Sequence, residues 1–172
     1  MRIATPEAMA ELGQLIAAEL HAGDLVLLNG ELGAGKTTLT RGIGEALGVR
    51  GAVTSPTFVL ARTHPREGRS SSPPGRIETD TDADTDAAPL VHVDAYRLGS
   101  AMELDDLDID FAASIVVVEW GAGLTDGITD DWLEVNIVRP RGGDEAAEVE
   151  PREITLTGHG ERWGRWVDAV GH

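Results

Sequence analysis

Between Leu25 and Leu47 the chain passes from an unbroken apolar run, Leu25-Val26-Leu27-Leu28, through the loop Gly30-Glu31-Leu32-Gly33-Ala34-Gly35-Lys36-Thr37, into a segment with Leu39, Ile43 and Leu47 on one stripe. A short run that is apolar on both faces predicts a strand buried inside a parallel sheet, and the stripe predicts a helix from Lys36 to Leu47 stopped by Gly48. The loop between them completes the pattern G-x-x-x-x-G-K-[ST], in the strand, loop and helix order that the pattern requires. Backbone N–H groups of Gly33, Ala34, Gly35, Lys36 and Thr37 would line a nest for phosphate oxygens at the positive end of a helix. Lys36 is the only lysine of the chain. A compact ammonium reaches between β- and γ-phosphate oxygens where an arginine fork would crowd the loop. Thr37 is expected to place its hydroxyl on Mg²⁺, and Thr38 to reach the α-phosphate.

The rest of the chain supplies an α/β domain around this unit. Thr5-Pro6-Glu7 combines an N-cap, a proline at the first helical position and an acid in the first turn, and predicts a helix to about Leu20. Val53 to Leu60 is expected to begin as a loop around Pro56 and to continue as a strand. Leu90-Val91-His92-Val93-Asp94 and Ile115-Val116-Val117-Val118-Glu119 read as buried strands, each ending in an acid. Ser100-Ala101-Met102-Glu103 predicts a capping box for a short helix. The stretches Leu133 to Val138 and Arg152 to Thr157 alternate as antiparallel edge strands do, and a last amphipathic helix carries Trp163, Trp166, Val167 and Val170. The expected fold is that of a P-loop NTPase, with a mostly parallel central sheet, antiparallel edge strands and helices on both faces.

With 172 residues the chain suits a single domain. Residues 63–89 are rich in Ser, Pro, Gly, Thr and Asp and poor in apolar side chains, which predicts a disordered acidic insertion. The alternating acids from Glu78 to Asp86 lack the glycine and terminal glutamate of a calcium loop. Cysteine is absent, which excludes disulfides, thiolate metal sites and cysteine nucleophiles. No apolar run spans a bilayer and the N-terminus lacks a signal-peptide core, so the expectation is no membrane contact and a cytoplasmic location. The formal net charge of -16 opposes direct binding of a polyanion such as tRNA. A nucleic-acid role would then run through a protein partner.

A nucleotide hydrolase also needs a carboxylate at the end of a buried strand to hold the magnesium shell. Asp94 and Glu119 both qualify, and pattern alone does not choose between them. Thr57 is a candidate for sensing the γ-phosphate, against the plainer reading of a turn threonine. Trp120, next to Glu119, could stack on a partner or shield the site, against the plainer reading of a packing residue, and His92 reads as a buried histidine rather than a catalytic base.

Four segments in this order, Gly30 to Thr38, Ser55-Pro56-Thr57-Phe58, His92-Val93-Asp94-Ala95-Tyr96-Arg97-Leu98 and Val118-Glu119-Trp120, together resemble the TsaE family. These are bacterial P-loop ATPases of N6-threonylcarbamoyladenosine modification of tRNA. The resemblance implies ATP/ADP as the nucleotide, Mg²⁺ held by Thr37 and Glu119, and Lys36, Asp94 and Glu119 as the catalytic set. It implies a switch-like segment from Ser55 to Thr57, and Thr5 and Arg152 near the base region of the nucleotide. It also implies action on a complex of TsaD and TsaB, with tRNA engaged only through that complex. Ala122 stands where the family often carries a polar residue. Two rival readings are a small-molecule P-loop kinase and a nucleotide-gated binding module with negligible hydrolysis. The acidic character of the only long loop is the wrong sign for a kinase lid over ATP.

Overall fold

The computed structural model describes residues 1–56, 60–66, 87–124, 128–140 and 150–171. Its framework is one seven-stranded sheet in the order β1 (Arg2–Ile3), β7 (Arg152–His159), β6 (Trp132–Val138), β2 (Leu25–Gly30), β5 (Ile115–Glu119), β4 (Leu90–Asp94) and β3 (Ala61–His64). The four middle strands β6, β2, β5 and β4 run parallel, while β3 on one flank and β7 with β1 on the other run antiparallel to their neighbours. The apolar runs Leu25 to Leu28 and Ile115 to Val118 are buried throughout, as central parallel strands require.

Helices α1 (Pro6–Ala17), α2 (Lys36–Leu47) and α4 (Glu161–Val170) cover one face, with Met9, Leu12, Ile16, Leu39, Ile43 and Trp163 in a single core against Val26, Leu28, Val117 and Val135. The short helix α3 (Ala101–Asp105) and the segment behind it cover part of the other face through Leu104 and Leu124. Helices α1 and α2 approach to backbone contact. A methyl group on Gly42 would stand 2.3 Å from the Ala10 carbonyl oxygen, and one on Gly13 would stand 2.5 Å from that of Leu39. Towards β6 and β7 the second face is polar. Glu134 accepts from Asn29 Nδ2 at 3.0 Å and Asn136 Nδ2 at 3.1 Å, and meets His159 Nε2 at 3.1 Å. Burial works to raise the Glu134 pKa, but those hydrogen bonds and the nearby imidazole outweigh it and hold the carboxyl below its ordinary value.

Five expectations change. Helix α1 ends at Ala17 rather than near Leu20. Of the strand expected up to Leu60, residues 57–59 lie outside the described residues, and the observed strand β3 begins at Ala61: Leu60 has a φ of 61° and its N–H bonds back to the Pro56 carbonyl at 3.0 Å, while its own carbonyl accepts from the Asp94 N–H at 2.7 Å. Thr63 and His64 belong to β3 and pair with Val91 and Leu90, so sheet pairing orders the first residues of the expected insertion, and His64 is buried. Residues 67–86 of that insertion lie outside the described residues. Strand β6 is interior: it is antiparallel to β7 but parallel to β2, and its alternating pattern reflects the polar second face rather than an edge. The two-residue β1, which no periodicity could show, is the true edge on that side. The Ser100 cap holds as a bond from Glu103 N–H, but the Glu103 carboxylate turns to the Gly99 N–H instead of closing the box on Ser100.

Candidate nucleotide site

The carboxyl ends of β2, β5 and β4 meet at one edge of the sheet, where open α/β folds gather ligands. Gly30 ends β2, and the loop turns through Gly33 (φ 76°) and Gly35 (φ 115°), left-handed conformations in which a side chain would be strained. Gly35 is the N-cap of α2, and no side chain caps that helix. In α1, by contrast, the Thr5 hydroxyl accepts from the Ala8 N–H at 3.2 Å. The orphan N–H groups of the first turn of α2, where the glycine loop ends, are therefore open to an anion.

Lys36 is 5% exposed, and its Nζ donates to the carbonyls of Gly30 at 2.7 Å and Glu31 at 3.0 Å. The Trp120 ring lies over the ammonium, 3.7 Å from Nζ to the ring centroid. Burial lowers the Lys36 pKa, and the carboxylates of Glu119 and Asp94 oppose that shift. Trp120 is thus no core residue. It is 36% exposed, holds a left-handed φ of 64° and closes over the lysine, a cation–π contact that desolvation strengthens.

Asp94 and Glu119 occupy paired positions on β4 and β5, and both are buried. The Thr37 hydroxyl donates to Glu119 Oε1 at 2.9 Å. His92 Nε2 lies 2.8 Å from the same oxygen. Asp94 accepts from the Ser55 hydroxyl and the Tyr96 N–H, each at 3.3 Å. The geometry separates two acids that the sequence left equivalent: Glu119 sits against the loop threonine, and Asp94 against the segment leading to Thr57. Thr57 itself lies outside the described residues.

Beside the loop, a cleft of about 320 Å³ is lined by Ile3, Thr5, Met9, Gly35, Thr38 and Arg152. Arg152 reaches back from β7 to the outside of the glycine loop, with Nε 3.1 Å from the Ala34 carbonyl and Nη2 3.5 Å from that of Gly33. Gly33, Ala34, Gly35, Lys36, Thr37 and Thr38 are thus joined by Glu119 and Asp94 on one side and by Thr5 and Arg152 on the other.

Sequence reasoning read His92 as buried, which it is, but missed its contact with Glu119, and it ranked a shielding position for Trp120 below simple packing. His92 is two residues before Asp94 on a strand, so parity alone places both on one face, and that signal was available. The left-handed turn that brings Trp120 over Lys36 has no comparable signature.

Among the described residues, no three or more His, Asp or Glu side chains cluster as a protein-only metal site would need. Magnesium does not require one, because it usually takes one or two protein oxygens and completes its shell with water and phosphate. A hydroxyl hydrogen-bonded to a buried carboxylate is a donor set of that kind.

The sheet order, the loop and the paired strand-end acids define a P-loop NTPase fold. YdiB of Bacillus subtilis shares it in a crystal structure, with a TM-score of 0.68 and 28% identity over 99% of this chain and 92% of that one. Residues 3–147 match the family model described as threonylcarbamoyl adenosine biosynthesis protein TsaE, and the chain belongs to that family. Relatives named tRNA threonylcarbamoyladenosine biosynthesis protein TsaE include one from Streptomyces coelicolor, 54% identical over 90% of this chain and 93% of the relative. Another, from Bacillus subtilis, is 32% identical over 94% and 87%. No helix among the described residues is long and apolar enough to cross a membrane.

Proposed function

We propose that the protein binds ATP with Mg²⁺ in this loop, hydrolyses it, and acts in the cytoplasm on a complex of TsaD and TsaB that carries the tRNA. One observation carries the reading: the Thr37 hydroxyl, at the start of the loop helix, is hydrogen-bonded to the buried strand-end Glu119 at 2.9 Å. A glycine turn with a merely solvated lysine needs neither that pairing nor the burial of Lys36. The loop amides and the first turn of α2 cradle the phosphates, and Lys36 exchanges its two carbonyl partners for phosphate oxygens. Thr37 and Glu119 would hold Mg²⁺, which when bound neutralises charge developing on the phosphate oxygens. Asp94, buried beside Glu119, is the group available to orient the attacking water. The Ser55 hydroxyl bonded to Asp94 ties that acid to the segment entering Thr57, and this supports a switch in which nucleotide state alters docking. The acidic surface favours protein subunits over RNA as the direct partner.

Phosphate release from ATP and Mg²⁺, measured with and without the TsaD–TsaB pair, tests the reading. Release should depend on Mg²⁺ and rise with the pair present. Absence of ATP binding under both conditions refutes it, and equal docking affinity in the ATP and ADP states refutes the switch.

A further inference from the structure

We infer that His92 is a positioning residue that fixes the Glu119 carboxylate for its magnesium role, an inference that rests on the ATPase reading above. The His92 ring is 0% exposed, and its Nε2 lies 2.8 Å from Glu119 Oε1. A carboxylate oxygen only accepts, so the ring proton sits on Nε2 and points at that oxygen. The Thr37 hydroxyl donates to the same oxygen at 2.9 Å. Two donors from different elements, one on β4 and one on α2, thus converge on Oε1 and set the rotation of the carboxyl group. Neither of them engages Oε2.

The register explains how the ring gets there. His92 pairs with Val117, two residues before Glu119 on the neighbouring strand, so imidazole and carboxylate share one face of the sheet. The other ring nitrogen argues against a space-filling role. Among the described residues the buried Nδ1 has no hydrogen-bond partner, a cost that leucine or phenylalanine would avoid at this depth. What the polar ring adds over an apolar one is the bond to Glu119. Outer partners of metal-holding carboxylates commonly act this way, and their loss weakens metal binding without removing a ligand.

The test is calorimetry of ATP binding to the full chain as Mg²⁺ is raised, alongside thermal melting, for His92→Leu, His92→Asn, His92→Gln, Glu119→Gln and the His92→Leu/Glu119→Gln double variant. His92→Leu should raise the Mg²⁺ concentration that half-saturates the strengthening of ATP binding by about 10- to 100-fold, with ATP affinity in chelator unchanged. His92→Asn, polar but too short to reach Oε1, should match it. His92→Gln, whose amide reaches about as far as Nε2, should recover most of the loss. In the double variant the histidine change should add nothing, because it acts through the carboxylate. An unchanged Mg²⁺ midpoint in both His92→Leu and His92→Asn overturns the inference, as does a glutamine variant no better than asparagine or full additivity in the double variant. If the wild-type protein shows no strengthening of ATP binding by Mg²⁺, the ATPase reading falls and this inference with it.

Discussion

Replacing Gly42 by alanine should destabilise the protein although alanine is the better helix former. In a helix interior the exchange gains about 1 kcal/mol from propensity. Against that, the new methyl carbon would meet the Ala10 carbonyl oxygen at 2.3 Å, its Cα at 2.7 Å and its carbonyl carbon at 2.9 Å. All three are backbone atoms and cannot rotate away, so α1 and α2 must separate by about an ångström, at a cost near the upper end of the overpacking range, about 3 kcal/mol. The net loss is about 2 kcal/mol, which for a domain of this size lowers Tm by roughly 4–8 °C. Gly164 in α4 is the matched control, since a methyl group there meets no atom of the described residues within 4 Å. Gly164→Ala should raise Tm by roughly 2–4 °C through the same propensity gain. Differential scanning calorimetry of both variants reads the two signs. A Gly42→Ala protein that melts at or above the wild-type temperature would show that α1 and α2 do not depend on this close approach.

Asp94→Asn should keep ATP affinity and lose turnover by about 10²- to 10⁴-fold, the scale of a lost proton-handling or water-orienting group, as read by binding and phosphate release on one preparation. Arg152→Ala removes the guanidinium that bonds the Ala34 and Gly33 carbonyls, and should weaken ATP and ADP alike by about tenfold in calorimetry, since a hydrogen bond to a charged group contributes about 1.5–3 kcal/mol. The Glu134 carboxyl has its folded pKa held below the ordinary 4.5, so the unfolded chain takes up its proton first as the solution is acidified. Its stabilisation is complete above that ordinary value and is lost as pH falls through the folded one. Glu134→Gln should therefore show a flatter decline of Tm between about pH 5 and pH 3 than the wild type, and parallel declines would refute this.

The centre of the fold was legible because its signals are local. Strand β2, the glycine loop and helix α2 follow one another in the chain, and each carries its own pattern. What failed depended on partners far away in sequence. Strand β6 alternates because one of its faces meets Asn29 and His159 rather than a covering helix, which no window around residues 132–138 reveals. The place of β3 is set by its pairing to β4, which draws Thr63 and His64 out of a segment that looks structureless by composition. At the site, the residue types were readable and their assignment was not. Asp94 and Glu119 are alike in pattern, and their hydrogen bonds distinguish them, with Thr37 and His92 at Glu119 and Ser55 at Asp94.

On the proposed ATPase reading, the charges of the site favour joint arrival of nucleotide and divalent cation. Lys36 is the single ammonium at the loop, and it faces two buried carboxylates, both of which favour its charged form while burial opposes it. On the cleft side, the guanidinium of Arg152 is already bonded to the Ala34 and Glu150 carbonyls, with the Glu150 carboxylate 3.8 Å away. The resting pocket is therefore close to neutral or negative, inside a protein of formal net charge -16. A triphosphate alone would add several negative charges at short range to two acids in a medium that screens poorly, where like charges about 4 Å apart repel by roughly 4 kcal/mol. The loop amides offset part of that repulsion, but they carry only partial charge. A divalent cation held beside Glu119 would remove the remainder, so Glu119→Gln, with one negative charge fewer, should bind ATP more tightly than the wild type in chelator and gain less from added Mg²⁺. The crossing of those two binding curves, read by calorimetry, separates an electrostatic role for Glu119 from a purely structural one, which would weaken both conditions equally.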